Sequence, residues 1–239
     1  MKPLIDSKPA KLLELSAVSK DFTLHSVQKQ VRGCQAISFS VNEGSFVGIT
    51  GKSGSGKTTI LRCIYRTNLP QKGSIYYHSA LFGEIDLATI SERKMSLIRK
   101  YEIGYVSQFL QNLPRVTAFD LVYRSALETA ISETEASNVT RTILNHFELK
   151  EELWNLYPNT FSGGEKLRLN IAKAMVKKPK LLLLDEPTAS LDQHSKEKVR
   201  ELIQVLKSEG TTMIGIFHDL EFMEDLCDQE FNIQEGAFV

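Results

Sequence analysis

Phe46-Val47-Gly48-Ile49-Thr50 runs directly into Gly51-Lys52-Ser53-Gly54-Ser55-Gly56-Lys57-Thr58, and residues 57–67 follow with helical apolar spacing through Ile60, Leu61 and Ile64. The order is strand, glycine loop, helix. The loop fits the pattern G-x-x-x-x-G-K-[ST]: its glycines let backbone N–H groups turn toward phosphate oxygens, Lys57 supplies a cation, and the Thr58 hydroxyl reaches a magnesium ion. The positive end of the helix dipole adds to the same field. A glycine turn that binds nothing is the competing explanation, and the strand before and helix after argue against it. The stretch predicts ATP binding by Gly51, Ser53, Gly54, Ser55, Gly56, Lys57, Thr58 and Thr59, within an α/β fold of the P-loop NTPase type.

Working outward, 12–18 and 35–41 read as strands, followed past the loop by a strand at 74–78, a charged helical stretch at 91–99 and a strand at 103–107. From 109 to 161 the character changes. Alanine, glutamate and leucine recur at helical spacing over 118–130 and 133–147, the second opened by a capping box in Ser132-Glu133-Thr134-Glu135. Beyond it come a helix to 177, the continuous apolar run Leu181 to Leu184 expected of a strand buried on both faces, and a helix–strand–helix series at 195–208, 212–217 and 220–226. One domain over 1–239 follows, with a core of about 1–108 and 162–239 and a helical subdomain of about 109–161.

Composition narrows the class without choosing within it. The 239 residues are 42% hydrophobic and 24% charged, an ordinary globular balance. Lys plus Arg (29) equals Asp plus Glu (29), so no global field recruits nucleic acid or anionic lipid. Cys34, Cys63 and Cys227 form no CxxC pair, which argues against a zinc site or a disulfide framework and fits reduced thiols in a cytoplasmic protein. No apolar run approaches the roughly 20 residues of a membrane helix, so any work at a membrane would need another chain to do the spanning.

Two further segments carry chemistry. Leu181-Leu182-Leu183-Leu184-Asp185-Glu186 ends a buried strand in two carboxylates, with Asp185 placed for the magnesium shell and Glu186 for a water attacking the γ-phosphate. Alone such a run is common and structural; beside the glycine loop it points to hydrolysis. Ser162-Gly163-Gly164-Glu165 is a second anion-binding turn at a helix start. The first loop already holds the phosphates within the chain, so a second turn implies a second nucleotide and a head-to-tail dimer, while Ser162 also serves as an ordinary N-cap.

These motifs, in this order, resemble the nucleotide-binding domains of the ABC family over nearly the whole chain. The resemblance implies a mixed core sheet with an antiparallel β subdomain and a helical insert, and it implies ATPase activity with ATP and Mg2+. By the same resemblance, Phe161 and Glu165 replace commoner residues of the signature, and Gln108 joins magnesium and water to the helical subdomain. Ser190-Leu191-Asp192 couples the two sites of a dimer, His218 contacts the γ-phosphate and the catalytic Glu186, and Phe22 stacks on adenine. Catalytic roles then fall to Glu186, His218 and Lys57, and metal contacts to Thr58, Gln108 and Asp185. The stretch 23–33 is longer than the family's usual loop. His25, His78, His146 and His194 sit in no such motif.

Most of the chain is similar in particular to the ATP-binding proteins of the phosphonate carbon–phosphorus lyase system, the PhnL type, through Val106-Ser107-Gln108-Phe109-Leu110, Pro114-Arg115, Glu152-Leu153-Trp154 and Thr160 to Glu165 in and around the insert, and through Asn170-Ile171-Ala172, Gly215-Ile216-Phe217-His218-Asp219 and the insertion before the second strand. That resemblance implies an ABC subunit assisting formation of α-D-ribose 1-phosphonate 5-triphosphate, with lyase-pathway subunits as partners. The alternative is the nucleotide-binding subunit of a membrane ABC transporter for lipoprotein or small-molecule export. Neither nucleic acid binding nor direct membrane insertion is expected.

Overall fold

A computed structural model describes residues 10–24, 29–107, 115–189, 191–217, 220–223 and 226–238. The strands are β1 (Lys11–Leu24), β2 (Lys29–Asn42), β3 (Phe46–Thr50), β4 (Lys72–Ser79), β5 (Gly83–Asp86), β6 (Ile103–Val106), β7 (Leu181–Asp185), β8 (Thr212–Ile216), β9 (Gln229–Asn232) and β10 (Ala237–Phe238). The helices are α1 (Lys57–Ile64), α2 (Glu92–Tyr101), α3 (Ala118–Leu127), α4 (Glu133–His146), α5 (Glu151–Trp154), α6 (Gly163–Met175), α7 (Gln193–Ser208) and α8 (Leu220–Met223).

Two sheets result. One is antiparallel in the order β2-β1-β4-β5, and the other runs β10-β9-β3-β8-β7-β6 with parallel pairing everywhere except between β10 and β9. Every residue of β3, β7 and β8 is buried, as their unbroken apolar runs require of central strands covered on both faces. The period of two divides β7 between two cores. Leu181 and Leu183 join Ile60, Leu61 and Ile64 of α1 under the antiparallel sheet, while Leu182 and Leu184 join Trp154, Phe161, Leu169 and Ile203 under the helices. Gly48 and Gly215 stand opposite each other in register. A Cβ at Gly48 would lie 2.1 Å from Met223 Cε, so the missing side chain is what lets the chain after β8 lie against the sheet.

The structure lengthens several expected elements and shortens others. β1 and β2 remain paired out to Leu24 and Lys29, so most of the stretch read as a long insertion is extended strand. The helix after the glycine loop ends at Ile64 and not at 67, because Tyr65 is its C-cap and Arg66 adopts a positive φ of 58°. β5, β9, β10 and α5 are additions: each is two to four residues long, too short for periodicity to register. At Ser132 the side chain accepts the Glu135 N–H at 3.2 Å, which is one half of a capping box. The full reciprocal box is formed at Ser162 and Glu165.

Cys34 and Cys63, distant in sequence, meet in the same core as free thiols, and the interaction between them, with Cys63 as donor, lowers the pKa of Cys34 and raises that of Cys63. Cys227 is also free, and burial pushes it up to about 12. Among the described residues no helix is long and apolar enough to cross a membrane, and no group of three or more His, Cys, Asp or Glu is arranged to hold a metal.

Candidate functional site

β3 delivers the chain at residue 51 to the edge of the parallel sheet, and the loop that follows turns back into α1. Three glycines hold backbone conformations that L side chains rarely adopt: Gly51 at φ 135°, Gly54 at 77° and Gly56 at 98°. Gly56 is the most constrained, since a Cβ there would sit 1.7 Å from the carbonyl oxygen of Gly33. β2 therefore buttresses the loop directly. Gly33 in turn abuts the ring of Phe22, to which a Cβ would approach within 2.7 Å. Phe22 is thus placed next to the loop by way of β2, with the Lys20 ammonium 5.6 Å from its ring centroid.

Lys57 is 5% exposed, and its ammonium donates to the carbonyl oxygens of Gly51 (2.7 Å) and Lys52 (3.1 Å). Burial lowers its pKa, and the charge of Glu186 opposes that shift. A buried cation hydrogen-bonded to neutral carbonyls of its own loop suits an anion arriving there. The hydroxyls of Thr50 and Ser55 are buried and have no hydrogen-bond partner among the described residues, two further unsatisfied groups beside the loop.

Thr58 and Asp185 meet across the sheet edge: the Thr58 hydroxyl donates to Asp185 Oδ1 at 2.9 Å. The other oxygen, Oδ2, accepts from the Tyr105 hydroxyl at 2.6 Å. A hydroxyl beside a 6%-exposed carboxylate at the end of a phosphate-binding loop is an oxygen-donor pair of the kind magnesium takes, so the residues fit that ion. Next in sequence, Glu186 has a φ of 51°, rare for a non-glycine residue, and its N–H donates to Ile216 O at 3.1 Å. The turn takes Glu186 out of the strand's alternation.

On the helical side, Ser162 caps α6: its oxygen accepts Glu165 N–H at 3.3 Å and its own N–H donates to Glu165 Oε2 at 2.8 Å. Ser162 and Gly163 are exposed, whereas Gly164 is buried against α7, where a Cβ would lie 3.3 Å from Ser195 Oγ. Asp192 caps α7, accepting the Ser195 N–H and hydroxyl, each at 2.9 Å; those two bonds, the backbone one first, lower its pKa. The Ser162–Glu165 turn and Asp192 are therefore neighbours within the chain. Gln108, Ser190 and His218 lie outside the described residues, and so do Phe109, Leu110 and Pro114 of the insert motif.

Three residues near the site are assigned no chemical role by the sequence motifs. Tyr105 is one. Asn170, on α6, donates from Nδ2 to Ser107 O at 3.1 Å and so ties the helical side to the end of β6. Lys173 is the third, with a pKa lowered by burial and then by Lys177. With Arg62, Tyr65 and Asp185 these line a cleft of about 510 Å³ between α1, β6 and α6. Only proximity in the fold reveals them.

A family model described as "ABC transporter" matches residues 34–189. The lipoprotein-releasing system ATP-binding protein LolD of Bacteroides fragilis is 32% identical over 229 residues, covering 95% of this chain and 100% of LolD. The cell division ATP-binding protein FtsE of Bacillus subtilis is 31% identical over 211 residues, covering 87% and 89% of the two chains. The dimeric ATP-binding cassette MJ0796, in a post-hydrolysis state bound to ADP and Pi, superimposes with a TM-score of 0.85 at 27% identity, covering 95% and 98%. The chain belongs to the ABC transporter family, with the fold of an ABC ATPase cassette and with ATP and Mg2+ as its ligands.

Proposed function

We propose that this chain is the ATP-hydrolysing subunit of a membrane transport machine of the lipoprotein-release or small-molecule-export kind, working as an ATP-dependent head-to-tail dimer with itself or with another ABC subunit. The observation behind the chemistry is the contact of Thr58 with Asp185 at the mouth of the glycine loop, with Lys57 buried beside it. Lys57 would leave the carbonyls of Gly51 and Lys52 for the β- and γ-phosphates, while the N–H groups of 51–59 cradle them. Thr58, Asp185 and Gln108 would hold magnesium, which when bound offsets the charge on the phosphate oxygens. Glu186, oriented by His218, would accept the proton of the attacking water. Phe22 would pack on adenine. Ser162, Gly163, Gly164, Glu165 and Asp192 would close over the γ-phosphate held by the partner copy, so each site needs two chains.

The family relatives favour this machine over the phosphonate pathway: those named above release lipoproteins or act in cell division. The phosphonate reading rests on its sequence motifs, including Glu152-Leu153-Trp154 in the insert and Asn170-Ile171-Ala172 beyond it. Affinity purification of the native complex decides between the two. Permease chains with membrane spans are the expected co-purifying partners, and recovery with lyase subunits instead would overturn the transporter reading.

A further inference from the structure

Asp185 is held from both sides. Thr58 donates to one carboxylate oxygen and Tyr105 to the other, and the two donors have different fates when a cation enters. In the proposed function the Thr58 hydroxyl turns to the metal, so the bond at Oδ1 is surrendered. The bond at Oδ2 need not be.

Tyr105 is well placed to keep it. It sits on β6 opposite Leu183 of the adjacent parallel β7, two residues before Asp185, so backbone pairing fixes the separation of the two side chains. Its ring lies against Tyr65 with centroids 5.0 Å apart and planes tilted by 40°, and the guanidinium of Arg99 lies 5.7 Å from the far ring. Tyr65 is the C-cap of α1. Both ends of the helix that follows the loop therefore bear on one carboxylate: Thr58 directly at the start, and Tyr65 through Tyr105 at the end. A carboxylate with one oxygen hydrogen-bonded to a packed phenol is held against rotation about its Cβ–Cγ bond, and it presents the other oxygen in a preferred direction.

We propose that Tyr105 is a positioning residue for magnesium binding, acting by locking the Asp185 carboxylate through Oδ2 while Oδ1 faces the metal side. This rests on the assignment of Asp185 to the metal in the proposed function. Loss of the phenol hydroxyl leaves Asp185 free to rotate, which weakens its contribution to metal binding without touching the phosphate cradle.

The test is equilibrium binding of a non-hydrolysable ATP analogue to the full chain across a Mg2+ series, for the wild type, Tyr105→Phe and Asp185→Asn. Phenylalanine preserves the packing on Tyr65. We expect Tyr105→Phe to bind the metal-free analogue within about twofold of wild type and to need roughly tenfold more Mg2+ for half of the metal-dependent gain in affinity, the size of one lost charge-assisted hydrogen bond. Asp185→Asn should lose that gain altogether. If Asp185→Asn shifts the Mg2+ dependence and Tyr105→Phe does not, Tyr105 only packs and the proposal is overturned while the site assignment stands. Should Asp185→Asn leave the Mg2+ dependence unchanged, the assignment of Asp185 fails and the proposal goes with it. If Tyr105→Phe does not fold, 3-fluorotyrosine placed at 105 carries the test: its 19F resonance should move with Mg2+ and analogue together and not with the metal-free analogue, and indifference to Mg2+ overturns the proposal.

Discussion

The loop at 51–58 and the turn at 162–165 are both glycine-containing helix starts that present N–H groups to an anion, but they are finished to different degrees. In the loop, the cation, the metal-side hydroxyl and the carboxylate all come from one chain, with Lys57 buried, Thr58 on Asp185 and Gly56 wedged against Gly33. At the turn, Ser162 and Glu165 satisfy each other's N–H groups, and Ser162 and Gly163 are left exposed. A helix start with its own cap is stable by itself. One lying open beside Asp192 acquires a use when something anionic is brought to it from outside, and the first loop of another copy carries such a group once ATP is bound. On the proposed function, the loop binds within a chain and the turn binds between chains, and their different degree of completion is what favours that division.

That contrast can be broken at several points. Lys57→Ala should have the largest effect, lowering kcat/KM for ATP by on the order of 10³ through loss of the cradle's cation; turnover near the wild-type rate in a steady-state ATPase assay would remove the loop from the site. Glu186→Gln should lower kcat by about 10² to 10³ while leaving ATP affinity intact, so that saturating ATP and Mg2+ trap a dimer in size-exclusion chromatography. A Glu186→Gln chain that stays monomeric with every available ABC partner would make the 162–165 turn an ordinary cap.

Gly56→Ala separates fold from binding. Its Cβ would meet backbone at 1.7 Å at a φ of 98°, so neither partner can move aside. A loss of about 3 kcal/mol in denaturant unfolding is expected, against about 1 kcal/mol for Gly54→Ala, whose φ is equally positive but whose Cβ meets open space. Equal losses would mean that β2 does not buttress the loop. Smallest in stability is Ser162→Ala, at about 1 kcal/mol for a lost N-cap, read by thermal unfolding of the ATP-free chain. The same variant should lose the ATP-trapped dimer when combined with Glu186→Gln, and this disproportion is the signature of a turn that works between chains.

Much of the fold was legible because its strongest elements are local. β3 and β7 are continuous apolar runs bounded by loop signals, and Ser162 announces a helix start. The elements that escaped, β5, β9, β10 and α5, are short pieces whose pairing partners lie far along the chain. The stretch at 23–33, read as longer than usual, is paired strand over 23–24 and 29–32 for the same reason: a strand's existence depends on its neighbour.

The glycine loop, the paired carboxylates and the order of motifs can be read from the chain alone, because each is a run of adjacent residues whose chemistry requires no knowledge of distance. What stands across a gap from them is set by folding. Gly33 against Gly56, Asn170 on Ser107 and Tyr105 on Asp185 join residues 23 to 80 positions apart. Such contacts depend on sheet register and on the burial of α1 between two sheets, and neither is written in any single segment of the chain.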